Sequence, residues 1–382
     1  MPRPPQLAES VARMSGTVFS PRAGRSAASA AEAVPLNVGD TWLEPFEGAR
    51  MQDLRSSEHP GLNRYTETRG IPSLVDAIVE KLRTRNQIAC ERDGVLVTAG
   101  ATAGLACAVG MLAEPGEEVL VLAPFWPLIR GISQALRATP VEVPFYDRVD
   151  SAEAAVEAVR ERIGPRTTAL YVSSPSNPTG CVLPRAWLEA LAELARREDL
   201  WLLSDEVYED YVYQGEHFSI ARAAPERTLS VFSFSKAYGM SGNRTGYLVG
   251  PPQAVAGAHK IGVHTFYSAP TPGQVVGQRA LESGGDWVKR ARQLYRETGQ
   301  GAARALGLPP PAGSQFLFID VSARLDERGP QGFLDDCLAD GVALAPGVSC
   351  GADYAGWVRL CYTAAEPERV AEAIRRLAAR LS

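Results

Sequence analysis

From residue 94 onward the sequence repeats one pattern: a short run that is apolar at successive positions, then a stretch that is apolar at helical spacing. The short runs are "GVLVTA", "EVLVLA", "TTALYVSS", "LWLLSDE" and "LSVFSFS". A strand without polar alternation has both faces buried, and parallel sheets covered by helices meet that condition. Between the runs lie stretches such as "PRAWLEALAELARRE", in which Trp187, Leu188, Leu191 and Leu194 share one helical face. The pattern predicts an α/β fold: a large domain with a mostly parallel sheet and helices on both faces. A break at "LGLPPPAGSQF" (306–316) precedes a second set of strands and helices, which closes with a helix striped by Val370, Ile374, Leu377 and Leu381. That set predicts a smaller α/β C-terminal domain. The expected boundaries are an arm over 1–45 that belongs to the small domain, a large domain over 46–283, and a small domain over 284–382.

Composition narrows the function. The chain has 382 residues, 45% of them hydrophobic, and a formal charge of −5, enough for a large core and without the basic stripe of a nucleic-acid binder. No apolar run approaches the roughly 20 residues that span a bilayer. The start "MPRPPQLAES" lacks the apolar region of a signal peptide, so a cytoplasmic location is expected. The six cysteines form no C-x-x-C pair, which argues against a zinc site or a redox motif. The expected partner is a small molecule.

In open parallel sheets ligands bind beyond the carboxyl ends of the strands, so the residues after each run carry the functional information. After "VLVTA" comes "GATAGLA", a glycine turn into a helix whose free N–H groups suit a phosphate. Trp126 in "PFWP" offers a flat face to an aromatic ring, and Asn177 in "SPSNPTG" both donates and accepts. "SDEVY" places Asp205 and Tyr208 at another strand end; a buried carboxylate there requires a cationic partner. "SFSKAYGMSGNRTG" adds Ser233, Ser235, Lys236 and Arg244. A partly buried lysine beside other cations is a nucleophile for a carbonyl, and hydroxyls with a guanidinium suit a dianion. Each residue alone reads as a turn, a cap or a solvated strand end. Together they describe a pocket for pyridoxal phosphate.

In order and spacing, "SPSNPTG", "SDEVY" and "SFSKAYGMSGNRTG" resemble the central motifs of the fold-type I pyridoxal-phosphate-dependent aminotransferases of class I/II, and the resemblance runs over nearly the whole chain. It implies pyridoxal 5'-phosphate in the large domain, held as a Schiff base on Lys236, with Asp205 against the pyridine nitrogen and Tyr208 and Asn177 at the ring hydroxyl oxygen. It implies that Ser233, Ser235, Arg244 and the backbone at Ala101 and Thr102 hold the phosphate, and that Trp126 stacks on the ring. "WVRLCYTA" is similar to the strand whose arginine grips the substrate α-carboxylate, here Arg359, with Asn177 and with Gly39 of "LNVGDTW" beside it. "NRYTETRGIPSLVDAIVEKL" resembles the stretch that crosses a homodimer interface, so Tyr65 is expected at the neighbour's phosphate.

The activity so implied is transfer of an amino group between an L-amino acid and a 2-oxo acid. A lyase, decarboxylase or cyclase of the same fold is the alternative. Three positions and one stretch depart from the family pattern and bear on substrate: Cys350 replaces a phenylalanine in "PGVSCG", Gln315 replaces a small residue, Thr102 stands where relatives selective for acidic substrates often carry lysine, and "HTFYSAP" (264–270) brings aromatics to a small polar run. With Trp126, Phe266, Tyr267 and Cys350 as expected walls, neutral, aromatic or otherwise bulky amino acids are expected over aspartate, unless an arginine such as Arg279, or one from the neighbouring subunit, reaches the pocket. Two other enzyme classes fail on context. Ser233-x-x-Lys236 spells a penicillin-binding pair without its companion motifs, and "GVSCG" spells a hydrolase elbow, but all four histidines precede Ser349. A pyridoxal-binding regulator would need a DNA-binding module, for which the stretch ahead of the fold is short.

Overall fold

In the computed structural model, which describes residues 6–12, 14 and 33–382, the apolar runs form one seven-stranded sheet. Its strands are β1 (Val95–Thr98), β2 (Glu118–Ala123), β3 (Thr139–Pro144), β4 (Thr167–Ser173), β5 (Trp201–Asp205), β6 (Thr228–Ser233) and β7 (Gly246–Val249). The order is β1-β7-β6-β5-β4-β2-β3. Only β7 runs against the rest, pairing antiparallel with both β1 and β6. The mostly parallel sheet is therefore as the apolar runs require, and β1, β4, β5 and β6 are buried along nearly their whole length.

Helices cover both faces. On one face the helices Ala101–Leu112, Leu128–Ala135 and Pro252–Thr265 pack on Val121, Tyr171, Leu203, Val231 and Leu248. On the other, Ala152–Arg160 and Arg185–Arg197 pack on Leu122, Leu170, Val172 and Leu202 through the expected stripe of Leu188, Leu191 and Leu194. The helix after β1 must reach the middle of the sheet, and small residues allow it. A side chain at Gly104 would meet Val231 at 3.2 Å, so the helix lies close against β6 and brings its N-terminus to the site.

The C-terminal strands β8 (Phe316–Asp320), β9 (Ala345–Pro346) and β10 (Trp357–Cys361) form a separate antiparallel sheet in the order β8-β10-β9. The helix Pro367–Leu381 buries Val370, Ile374 and Leu377 beside it. Residues 34–42 run along this sheet: Val34 bridges Val342, Cys361 N–H donates to Leu36 O at 2.7 Å, and Trp42 N–H to Thr363 O at 3.0 Å. That path carries Gly39 over to the end of the large sheet. Of the arm, only residues 6–12 and 14 are described before residue 33; the remainder of 1–32 lies outside the described residues. Among the described residues no helix is long and apolar enough to cross a membrane.

Candidate active site

The carboxyl ends of β4, β5 and β6 are in register, with Ser173 beside Asp205 and Asp205 beside Val231. A cavity of ≈ 220 Å³ opens there. Twelve of the thirteen residues singled out from sequence line it: Gly39, Ala101, Thr102, Trp126, Asn177, Asp205, Tyr208, Ser233, Ser235, Lys236, Arg244 and Arg359. The tertiary fold thus brings together positions as far apart as 39 and 359.

Lys236 is set by the four-residue helix Phe234–Ala237 that β6 runs into. Ser233 caps it, its Oγ accepting from Ser235 N–H at 3.1 Å. Lys236 Nζ donates to the carbonyl of Gly39. Burial holds the amine below its ordinary value; Arg359 and Arg244 add to the depression, and Asp40 opposes it. Gly39 is fixed as glycine by a close approach, since a Cβ there would lie 2.8 Å from Phe316 Cζ.

Asp205 is buried at the end of β5. Its Oδ1 accepts from Val207 N–H at 3.3 Å and its Oδ2 from the Tyr171 hydroxyl at 2.6 Å. Burial nevertheless pushes the carboxyl up to about 6, because these donors replace only part of its lost hydration. Arg359, on β10, donates through Nη1 to Asn177 Oδ1 at 3.0 Å and through Nη2 to Asn37 O at 2.8 Å, with its guanidinium 4.7 Å over the Phe316 ring. Burial pushes the nearby Tyr208 phenol well above its usual value, and Arg359 and Asn177 oppose that rise.

The opposite end of the cavity is built for an anion. The helix Ala101–Leu112 starts at Gly100 without a side-chain cap, so its first N–H groups face the site. Gly100 has φ 78°, and a Cβ on it would sit 2.5 Å from Arg244 Nη2. Glycine there lets the guanidinium lie against the helix start. Arg244 itself takes φ 51°, with Nη1 donating to Ser241 O at 2.8 Å.

Tyr65 is the exception among the expected residues. It is 83% exposed and packs edge-on against Tyr267, 46% exposed, with ring centroids 4.8 Å apart. Of the expected side-chain walls only Trp126 lines the cavity. Phe266 packs under Gly262, Tyr267 is on the surface with Tyr65, and Cys350 is buried behind the site with its carbonyl accepting from Phe125 N–H at 2.8 Å. Arg279 is engaged elsewhere, with Gly48 O and His59. The apolar walls are instead Val38, Leu105, Leu128 and Val207, which sequence reasoning passed over because isolated apolar residues carry no chemical signature. Ser241 also lines the cavity. It was visible inside "SFSKAYGMSGNRTG". Tyr171, too, had a signal, the single phenol within the apolar stretch of its strand, since a buried hydroxyl requires a partner.

Comparison with known proteins gives the family. A model of the aminotransferase class I and II family matches residues 31–377. The chain is 36% identical to the aspartate/prephenate aminotransferase of Thermus thermophilus, over 90% of each chain. It is 34% identical to the arginine–pyruvate transaminase of Pseudomonas aeruginosa, over 91% of this chain and 89% of that one. Among solved structures it resembles the Thermus thermophilus aspartate aminotransferase with maleate, at TM-score 0.87 and 32% identity, covering 98% of this chain and 100% of that one. It resembles the N-succinyldiaminopimelate aminotransferase of Mycobacterium tuberculosis equally closely in fold, at TM-score 0.87 and 28% identity over 98% and 100% of the two chains. With a family match over most of its length and these relatives, the chain belongs to the class I and II aminotransferases.

Proposed function

We propose that the cavity binds pyridoxal 5'-phosphate and that Lys236 holds it covalently while an amino group passes between an L-amino acid and a 2-oxo acid. One observation carries the reading: a buried lysine of lowered proton affinity, a buried carboxylate without a fixed cation, and an anion cradle at a helix N-terminus converge on one cavity. The donor set fits the group part by part. The N–H groups of Ala101 and Thr102, with Ser233, Ser235 and Arg244, take the phosphate; the gap that Gly100 leaves at Arg244 is part of that cradle. Asp205 takes the ring N–H, Tyr208 and Asn177 the ring oxygen, and Trp126 one ring face. When bound, the cofactor supplies an electron sink for the charge left at the substrate's Cα.

Arg359, oriented by Asn177 and by the Phe316 ring, grips the α-carboxylate beside Gly39. Lys236 Nζ, once it leaves Gly39 O, is the base that takes the Cα proton, a task suited to an amine whose burial lowers its proton affinity. The cations lining the cavity are Lys236, Arg244 and Arg359, and each already has a task. Arg130, in the adjoining groove, is paired with Glu142 at 2.5 Å. Among the described residues a side-chain carboxylate would therefore enter without a partner, so neutral and bulky amino acids are the preferred donors.

The exposed Tyr65–Tyr267 pair supports a homodimer in which Tyr65 reaches the neighbour's phosphate. The helix Gly285–Ala305 begins just after Gly284 and packs with Pro367–Leu381, which supports the division at 283/284; the Val34–Val342 bridge supports placing the N-terminal stretch with the small domain.

The deciding experiment is borohydride reduction of the purified enzyme followed by peptide mass spectrometry, with Lys236→Ala as control. The pyridoxyl mass is expected on Lys236 alone; an adduct at Lys260, or none, overturns the assignment. A screen of amino and 2-oxo acid pairs then reads the substrate. A kcat/KM for aspartate above those for phenylalanine, methionine and alanine overturns the side-chain reading and leaves the reaction type intact.

A further inference from the structure

We propose that Tyr171 is a positioning residue for this reaction, its phenol clamping Asp205 Oδ2 so that the carboxylate presents a fixed oxygen to the cofactor's ring nitrogen. The inference rests on the cofactor reading above. Its basis is the geometry behind the cavity. Tyr171 lies on β4 opposite Leu203, two residues before the strand end, and is fully buried. Its ring is part of the core that β4 and β5 share with the helix Ala101–Leu112, while its hydroxyl reaches along the strand to Asp205 Oδ2 at 2.6 Å.

Two features separate this from ordinary packing. The residues in the core around the ring, among them Val121, Ala169, Leu203 and Val231, are apolar and buried, so a phenol there brings a desolvation cost unless its O–H is used. And the two oxygens of Asp205 are held unequally. Oδ1 has the longer backbone contact at 3.3 Å, Oδ2 the short phenolic one at 2.6 Å. A carboxylate pinned at one oxygen cannot rotate, and the other keeps acceptor capacity for an incoming N–H.

The groups facing Asp205 are Tyr171 and Tyr146 from the β4 side, Glu206 next to it in the chain, Tyr208, and Lys236 across the cavity. The Tyr171 hydroxyl and the backbone N–H of Val207 donate to the carboxylate, and both favour its ionised form against burial. Removing the phenol therefore drives the carboxyl further up.

The test is Tyr171→Phe, which keeps the ring and deletes the donor. Three readouts are expected to move together. The kcat falls about tenfold with KM nearly unchanged, the size expected for one hydrogen bond to a charged group. The affinity of the apoenzyme for pyridoxal phosphate weakens, and the acid limb of that binding shifts to higher pH. In an Asp205→Asn background the same substitution changes cofactor affinity no further, because the phenol acts through the carboxylate. Equal cofactor-binding pH profiles for Tyr171→Phe and wild type, or equal losses in both backgrounds, would overturn the proposal and leave Tyr171 a packing residue. If Tyr171→Phe does not fold, 3-fluorotyrosine at 171, a stronger donor of nearly the same shape, is expected to shift the acid limb to lower pH, and no shift overturns the proposal. Failure of the cofactor reading shows separately, as wild-type apoenzyme that takes up no pyridoxal phosphate.

Discussion

Asp205 and Glu206 are consecutive, both carboxylates, both buried at the end of the same strand, and the protein treats them in opposite ways. Strand alternation sends them to opposite faces of the sheet. On the far side, Glu206 Oε1 accepts from the hydroxyls of Ser204, Ser219 and Ser230 at 2.8–2.9 Å, and Oε2 meets His217 Nε2 at 2.9 Å. His217 and these hydroxyls hold Glu206 below the usual carboxylate range despite full burial. Asp205, with one phenol and one long backbone contact, is pushed up to about 6. The difference separates a finished structural site from an unfinished functional one. Where a buried charge is fully satisfied by its own chain it holds the fold; where compensation stops short, a ligand completes it.

The contrast can be broken at either residue. Asp205→Asn is expected to lower kcat about a thousandfold, the scale of losing a preorganised charge aimed at the reacting group, while apoenzyme folding is unharmed at pH 8. The sign follows from linkage. A carboxyl whose folded value rises from 3.8 to about 6 binds its proton more tightly in the folded state, so its contribution to stability falls as pH rises through that window. The wild-type apoenzyme should therefore lose stability relative to the variant between pH 4 and pH 6, as denaturant titrations will show. A variant markedly less stable than wild type at pH 8 would mean that Asp205 is as structural as its neighbour.

Glu206→Gln should do the reverse. It leaves His217 and three hydroxyls facing a neutral amide, for a loss of about 3 kcal/mol in folding free energy, with kcat of the folded enzyme within about tenfold of wild type. A kcat loss as large as that of Asp205→Asn would erase the distinction.

The smallest expected effect is at His217. Its folded value is raised above 6.5 because the hydrogen bond and charge of Glu206 outweigh burial. The stability it adds is fully present below pH 6.5 and is lost as pH rises through the folded value. Against His217→Gln, wild type should lead by about 1 kcal/mol at pH 6 and by less at pH 9. A gap that is independent of pH would show that the imidazole is neutral and only packs.

Much of the site was legible because its chemistry needs particular residue types at strand ends. Lys236, Asp205, Asn177 and Arg244 could be named before their neighbours were known, since each alone has an ordinary structural reading but together, at successive strand ends, they match one chemistry. Phe266, Tyr267 and Cys350 show where that logic stops. They were read as side-chain walls because they depart from the family pattern, yet Tyr267 faces outward beside Tyr65, and Cys350 is buried without lining the cavity. Which way a loop residue points depends on what it packs against, and that is not periodic. Val38, Leu105 and Leu128 were passed over for the converse reason, since an apolar wall looks like any core position until the cavity beside it is seen.

By itself the sequence determined the sheet, its helical covering and the family, because apolar periodicity and the motif spacings are local quantities that survive without coordinates. Only the tertiary structure decided that residues 34–42 run along the C-terminal sheet and deliver Gly39 to Lys236. It alone decided that Arg359 meets Asn177 across 182 positions, and that Tyr171 rather than a charged group stands behind Asp205. The physical reason is the range of the interactions. Strand and helix patterns record which face of one element is buried, whereas the environment of a carboxylate is set by side chains from other elements at distances of a few ångströms, and no single segment encodes those distances.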